Sequence, residues 1–222
     1  MKIQDIPQTG KLGQTVTWKG RTGQLRRIKV TPKNPRSGAQ QIIRARLAAQ
    51  AAAYDALTDV QQQAWISAAN QVRTRSTLGQ SGALTGSQLF IKVNCTLQLI
   101  GAPTVTAPPL KSLMAVLPVS GLEITNAAGV VTLKLATTDA PPDGTILRAC
   151  EWQKSGTRRA VGYRVLGTLD SPVAGKIDIT ALYTARFGAP PPNSRVFVAV
   201  SACASGYEGI PVLFHARVPA SA

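Results

Sequence analysis

Lysine and arginine are the residues whose number and spacing most clearly suggest a chemistry, and they are concentrated at the N-terminus. Residues 1–46 contain eleven of them against a single acid, Asp5, and so carry +10 of the chain's formal +15. Such a density predicts a polyanionic partner, which is a nucleic acid, an anionic membrane surface or an acidic protein face. The candidate anion-binding or subunit-binding residues are Arg21, Arg26, Arg27, Lys29, Lys33, Arg36, Arg44 and Arg46.

Residues able to carry catalysis or hold a metal are sparse. His215 is the only histidine and lies in an apolar run near the C-terminus, so a triad would have to use this one residue. Cys95, Cys150 and Cys203 form no CxxC pair, no GxxxxGK[ST] loop is present, and no set of zinc ligands clusters. The acids beyond the arm are explained by turns and helix starts. We therefore expect a non-enzymatic protein with no metal, no cofactor and no catalytic residue.

The basic segment is expected to be extended. Residues 15–18 and 24–30 have the composition of short strands, and the turn residues 19–23 between them predict a hairpin. A two-stranded ribbon is marginally stable alone, so it should need a neighbour. Trp18 lies on this ribbon and is a candidate for packing or subunit contact.

Helical patterns begin at Ala39. Apolar residues first recur at helical spacing along residues 43–54, and Thr58 with Gln61 matches a capping box that starts a second helix. Tyr54, Leu57 and Trp65 are the candidates for packing of this hairpin or for subunit contact. The predicted apolar faces of the two helices are Ile43, Leu47, Ala51 and Tyr54, and Val60, Ala64, Ala68 and Val72 with Trp65 beside them.

A third helix is predicted by a second capping box and a further apolar stripe. Thr85 with Gln88 forms the box, and Gly101 is placed for a left-handed C-cap. The stripe consists of Leu89, Val93, Leu97 and Ile100.

The second half of the chain has the alternation of β-strands. Seven strands are expected near 119–126, 129–136, 144–152, 161–168, 176–180, 195–203 and 210–217. Strands at this spacing favour an antiparallel sandwich of immunoglobulin or fibronectin type III style. The fold class is therefore α+β. The expected regions are a basic extended arm (1–38), a helical region (39–101), a linker (102–112) and a β-sandwich domain (113–222).

Motifs in the first half resemble a family of uncharacterised proteins from bacteria and their phages. That family has a basic NP-x-T/S…Q…R arm, a hairpin with LT…Q…W, a helix with LTG…LF…N and a β-sandwich tail. The matching residues are Asn34-Pro35-Arg36-Ser37, Gln40-Gln41 and Arg44; Leu57-Thr58, Gln62 and Trp65; and Leu84-Thr85-Gly86, Leu89-Phe90 and Asn94. The resemblance covers the second half only in outline and transfers no catalytic residue. A phage origin implies a structural role in the virion.

We therefore expect a structural virion component of a capsid, head decoration or tail, which assembles into a large homo-oligomer through its arm and helices. Its partners would be further copies, other virion proteins or a nucleic-acid phosphate backbone. Met1–Asp5 is not followed by an apolar signal segment, and no run of about 18 apolar residues could span a membrane. We expect synthesis in the bacterial cytoplasm. The alternatives are an accessory, non-sequence-specific nucleic-acid-binding protein and a fibronectin-like adhesion module.

Overall fold

The structure is a computed structural model that describes residues 9–20, 23–31, 34–72, 82–110 and 114–220. The fold class is α+β as predicted, since helices and several antiparallel sheets alternate along the described residues. The chain divides into two compact units, residues 1–91 (unit 1) and 92–222 (unit 2). Arg21 and Lys33, two of the predicted anion-binding residues, lie outside the described residues.

Unit 1 begins with a small antiparallel sheet. Its strands β1 (Gly10–Leu12), β2 (Thr15–Gly20) and β3 (Gly23–Ile28) pair in the order β1-β2-β3. The predicted hairpin is therefore present. The short strand β1 was not predicted, and it supplies the third strand that a two-stranded ribbon lacks.

Three helices follow, namely α1 (Gly38–Asp55), α2 (Asp59–Asn70) and α3 (Gly86–Leu99). Both predicted capping boxes are confirmed. The Thr58 side chain accepts a hydrogen bond from the Gln61 backbone, and Gln61 reaches back to the Thr58 N–H. At α3, the Thr85 hydroxyl accepts from the Gln88 N–H at 3.2 Å while the Gln88 side chain accepts from the Thr85 N–H at 3.0 Å.

The buried face of α2 is centred on Trp65. The Trp65 ring is fully buried and meets Phe90 of α3 edge-on, with ring centroids 5.2 Å apart. Trp65 and Ala69 are the buried residues of the helix, whereas Val60 is 81% exposed. The predicted buried face through Val60 and Ala64 is therefore wrong. The contact of Trp65, the largest side chain of α2, with Phe90 determines which face of the helix is buried.

Besides the C-terminal part of α3, unit 2 contains nine strands and one helix among its described residues. They are β4 (Val119–Ala127), β5 (Val130–Thr137), β6 (Ile146–Ala149), β7 (Arg164–Thr168), β8 (Lys176–Asp178), α4 (Thr180–Phe187), β9 (Arg195–Ser201), β10 (Cys203–Ala204), β11 (Tyr207–Glu208) and β12 (Val212–Arg217). Two antiparallel sheets have the orders β4-β5-β8 and β12-β9-β6-β7, and β10 pairs with β11. The seven strands of the two larger sheets lie within a few residues of the predicted ones.

The two larger sheets contribute to a single apolar core. Alternate residues of β5 and β9 enter the same cluster, among them Leu133, Leu135, Val196 and Val198, all with no exposed surface. Their neighbours along each strand point away, as the two-residue period of a strand requires. The helix α4 was not predicted. Its Tyr183 is fully buried in this cluster and donates a hydrogen bond from its hydroxyl to the Cys150 carbonyl at 3.2 Å.

The proline-containing segment after α3 is tied down within unit 2. Asn94 is fully buried, and its side-chain amide both donates to the Val105 carbonyl at 3.1 Å and accepts from the Val105 N–H at 2.8 Å. The Tyr207 hydroxyl donates to the Pro109 carbonyl at 3.3 Å. Buried amides are stable only when they are paired in this way.

Candidate interaction surfaces

One face of the N-terminal sheet combines cations with an aromatic ring. The register pairs Val16 with Arg27, Trp18 with Leu25, and Lys11 of β1 with Val16, so these five side chains share one side of the sheet. We call this set the tryptophan face. It is built by the alternation of the strands, which brings together residues that are up to 16 positions apart.

The tryptophan face is open to solvent and carries a cation–π contact. Trp18 is 39% exposed, and the Arg27 guanidinium carbon lies 5.4 Å from the centroid of its ring. Lys11 and Arg27 are both exposed. A cation held over an indole at this distance is an attractive pair. An exposed ring flanked by positive charge can stack on a base while the cations contact phosphates.

The predicted anion-binding residues do not form one set. Arg26 lies opposite Thr17 on the other side of the sheet and is half-buried, next to the buried Gln24 opposite Lys19. Consecutive strand residues point to opposite faces, so Arg26 and Arg27 cannot contact the same phosphate group.

The basic residues before and within α1 form a second group. The Asn34 side-chain oxygen accepts from the Arg44 guanidinium at 2.8 Å and from the Arg36 N–H at 3.4 Å. Arg36 and Arg44 are exposed, and Arg36 adopts a left-handed φ of 49°. This places the Arg44 guanidinium beside the start of α1, whereas Arg36 contacts Asn34 through its backbone N–H. Of the remaining candidates, Lys29 is exposed and Arg46 is half-buried.

The first turns of α1 expose apolar side chains. Ile42, Ile43 and Leu47 are 63%, 66% and 52% exposed, respectively, and we call them the apolar face of α1. The predicted stripe passed through Ile43 and Leu47 to Tyr54. Its C-terminal part is half-buried within unit 1, but its N-terminal part is uncovered by the described residues. Ile42 was missed because it is one position out of step with the stripe.

The remaining candidates for packing hold the α1–α2 hairpin. The Tyr54 and Phe90 rings are 5.5 Å apart, and Tyr54 and Leu57 are half-buried. The Gln62 side chain donates to the Tyr54 carbonyl at 3.2 Å and to the Leu57 carbonyl at 3.5 Å. Gln62 thus closes the turn between the helices, which gives a physical role to the glutamine of the LT…Q…W motif.

Lys11, Val16 and Leu25 belong to the tryptophan face and were not predicted as site residues. Their alternation with Trp18 and Arg27 was available once the hairpin was predicted, because a tight turn fixes which residues lie opposite each other. Only the contribution of β1 required knowledge of the sheet.

Among the described residues of unit 2, two ion pairs and two buried thiols involve ionisable groups. Arg148 forms a two-pronged ion pair with Glu208, and Lys176 pairs with Glu123 at 2.6 Å. Burial raises the pKa of the Cys150 thiol and of the Cys203 thiol. Within the described ranges, no three His, Cys, Asp or Glu side chains gather as metal ligands would, and no helix has the length and apolarity to cross a bilayer.

No protein-family model matches the chain, and neither a curated protein nor a solved structure shows detectable similarity to it. The resemblance to phage proteins therefore stays a prediction from the sequence motifs.

Proposed function

We propose that the protein is a structural virion component that assembles into a homo-oligomer through unit 1. The apolar face of α1 carries this proposal, because Ile42, Ile43 and Leu47 are more than half exposed on adjacent turns of one helix. A monomer rarely leaves such a group of large apolar side chains uncovered. The proposed occupant is the same face of a second copy, since an identical patch can cover itself about a two-fold axis.

The charge of the arm explains why assembly would involve a nucleic acid. Unit 1 contains thirteen Lys and Arg residues against Asp5, Asp55 and Asp59, so two copies repel each other. A polyanion that neutralises both copies removes this repulsion and lets the apolar faces meet. A subunit packed against a packaged genome meets such a polyanion, which is why a virion role fits better than a simple dimer. Contact with the phosphates needs no base sequence.

We further propose that unit 2 is a sandwich of fibronectin type III style. In support, its first, second and fifth strands form one sheet, and its third, fourth, sixth and seventh strands form the other, when the short β10-β11 pair is set aside. The immunoglobulin constant arrangement differs only in placing the fourth strand in the first sheet. The shared apolar core of the two sheets is consistent with this packing.

The assembly proposal is tested by Ile43→Glu combined with Leu47→Glu. Burying each side chain gains about 1.5–3 kcal/mol, so two charges in the contact should weaken association by roughly 100-fold or more. The control is Val60→Glu with Val130→Glu, which adds the same charge at exposed positions outside α1. Sedimentation velocity with and without duplex DNA measures the assembled fraction, and circular dichroism checks that each variant folds.

When DNA is added, parent protein and control should associate at least as two-fold dimers, and I43E/L47E should remain monomeric. Parent protein that remains monomeric at high concentration with DNA present would refute the proposal. So would a folded I43E/L47E variant that assembles like the control.

A second candidate is accessory, non-sequence-specific nucleic-acid binding by the monomer, which the tryptophan face favours. Arg27→Ala and Lys29→Ala each remove one exposed cation, but only Arg27 lies over Trp18. If the face binds nucleic acid, R27A and W18A should both weaken binding to a single-stranded oligonucleotide more than K29A does. R27A should also lower the salt slope by about one. Equal losses of affinity in R27A and K29A would show that binding depends on the overall charge of the arm and not on the tryptophan face.

A further inference from the structure

A cavity in unit 2 is lined by none of the residues of the surfaces described above. It has a volume of about 320 Å³ and is lined by residues 158–161 and Tyr163, which precede β7, and by residues of β9 and β12. Its walls combine two arginines with aromatic and aliphatic side chains. Neither the assembly proposal nor the tryptophan face makes use of it.

The aromatic wall of the cavity is held rigidly. Phe197 of β9 and His215 of β12 are register partners, and their rings stack with centroids 5.5 Å apart and an angle of 20°. Phe197 is only 4% exposed and packs with Cys150, Ala160 and Tyr163. The His215 ring is exposed and rests on this buried ring. Because the two rings already hold each other in place, a flat ligand that packs against them would cost little further side-chain entropy.

The cationic wall is also anchored to the sheet. The Thr157 carbonyl accepts a hydrogen bond from the Arg195 guanidinium at 2.9 Å, and Gln153 pairs with Arg195 through two backbone hydrogen bonds. These contacts fix the chain just before Arg158 and Arg159. Both arginines are exposed and line the cavity.

The two arginines have no acidic partner among the described residues, where the ion pairs are those of Arg148 and Lys176. Burial raises the pKa of the Tyr163 phenol, against the opposing effect of the Arg159 charge. The phenol is therefore a hydrogen-bond donor at neutral pH. The cavity lining thus combines hydrogen-bond donors and positive charge with flat rings.

We propose that this cavity binds a nucleotide, with the phosphate held by Arg158 and Arg159 and the base placed against His215 and Tyr163. Arginine matches phosphate through paired N–H donors. Aromatic rings stack on any base, so no base preference is required. A purely apolar ligand would leave the guanidinium groups without a counter-charge, and a bare phosphate would leave the rings and Leu213 uncovered.

The nucleotide could be free or part of a single-stranded nucleic acid, and the test distinguishes these sources. Adenosine 5′-monophosphate, inorganic phosphate and a short oligothymidylate are each titrated into the full chain. The chain carries W18A/R27A so that the tryptophan face does not contribute. The readout is the NMR signal of the His215 imidazole, which is unambiguous because the chain has one histidine. The proposal concerns unit 2 alone and does not depend on assembly.

Adenosine monophosphate or the oligonucleotide should shift the His215 signal and bind at least about tenfold more tightly than phosphate, because only they can stack. A response to the oligonucleotide alone would show that the site binds a single-stranded nucleic acid. A response to both probes would show that the site also binds free nucleotides. Arg158→Gln with Arg159→Gln should weaken binding about tenfold or more. Lys134→Gln with Lys154→Gln removes the same charge outside the cavity and should change it less than about twofold.

Three results would overturn the proposal. The first is an unshifted His215 signal with both nucleotide probes. The second is phosphate binding as tight as that of the nucleotides, which would leave the rings without a role. The third is an equal loss of affinity in the R158Q/R159Q and K134Q/K154Q variants, which would show that the affinity depends only on the overall charge of the protein.

Discussion

Replacing Gly86 with alanine is expected to destabilise unit 1, although alanine is normally the better helix former. Gly86 is the first residue of α3 and is buried. A Cβ atom there would lie 2.8 Å from the Tyr54 hydroxyl oxygen, 2.9 Å from Ile66 Cγ1 and 3.0 Å from the Ile66 backbone nitrogen. The Tyr54 side chain can move aside, but the Ile66 backbone belongs to α2 and cannot move alone. α2 and α3 would therefore have to separate.

The size of the effect follows from two opposing contributions. Overpacking at a helix contact costs about 1–3 kcal/mol. The gain in helix propensity from Gly to Ala offsets up to about 1 kcal/mol of this. The expected net loss for Gly86→Ala thus lies between about 0 and 3 kcal/mol, with its centre near about 1.5 kcal/mol. The separation should also loosen the contact between Trp65 and Phe90, which would change the near-ultraviolet circular dichroism of the buried indole.

Gly38 provides a matched control, because it is the first residue of α1 and a Cβ atom there meets nothing within 4 Å. Gly38→Ala should leave stability unchanged or raise it by up to about 1 kcal/mol. Urea denaturation followed by circular dichroism measures both variants. If G86A proves as stable as G38A, the close approach of α3 to α2 does not determine the packing of unit 1, and the reasoning fails.

Three further predictions concern unit 2. Tyr183→Phe should lower the unfolding free energy by about 1–3 kcal/mol in urea denaturation, because the Cys150 carbonyl would lose its donor in the core; an unchanged midpoint would contradict this. Since burial raises the pKa of the Cys150 thiol, iodoacetamide should modify it far more slowly in folded than in unfolded protein, as measured by mass spectrometry. Hydrogen bonds from the Thr180 hydroxyl and N–H lower the Asp178 pKa from its ordinary 3.8. Its stabilising effect should be complete above pH 3.8 and fade as the pH falls through the lowered value, so the stability cost of Asp178→Asn should be present at pH 7 and shrink below pH 3.8.

Local signals in the sequence predicted much of the secondary structure. Both capping boxes act within four residues, so they are readable without knowledge of the fold. The expected strands near 119–126 and 129–136 likewise require a tight turn between them. Ala128 and Gly129 in this turn have φ values of 50° and 83°, and a type I′ hairpin loop requires a positive φ at both of its central residues. Such features are fixed by chemistry close in the chain.

The buried faces of the helices were harder to predict, because partners distant in sequence decide them. The face of α2 follows from the contact of Trp65 with Phe90, 25 positions away. The helix α4 was missed although Ile179, Tyr183 and Phe187 recur at helical spacing, because the strand signal of residues 176–180 ran directly into it.

The candidate surfaces were predicted in composition but not in arrangement. Arg26 and Arg27 looked like one basic group, and the strand that contains them separates them. Trp18 was predicted to serve packing or subunit contact, and the pairing of its ring with the Arg27 guanidinium was not predicted. These outcomes depend on register and on exposure, which the residue types alone do not give.

The alternation of β2 and β3 has a genetic consequence. Substitutions on one face of this sheet leave the other face unchanged, so the two can diverge independently under selection. Insertion of one codon between Leu25 and Arg26 would instead reverse the faces of the residues that follow, and would move Arg27 away from the side of Trp18. The number of residues in this segment is therefore constrained more tightly than their identity. Mutagenesis should show that the segment tolerates single-residue deletions far less well than single substitutions.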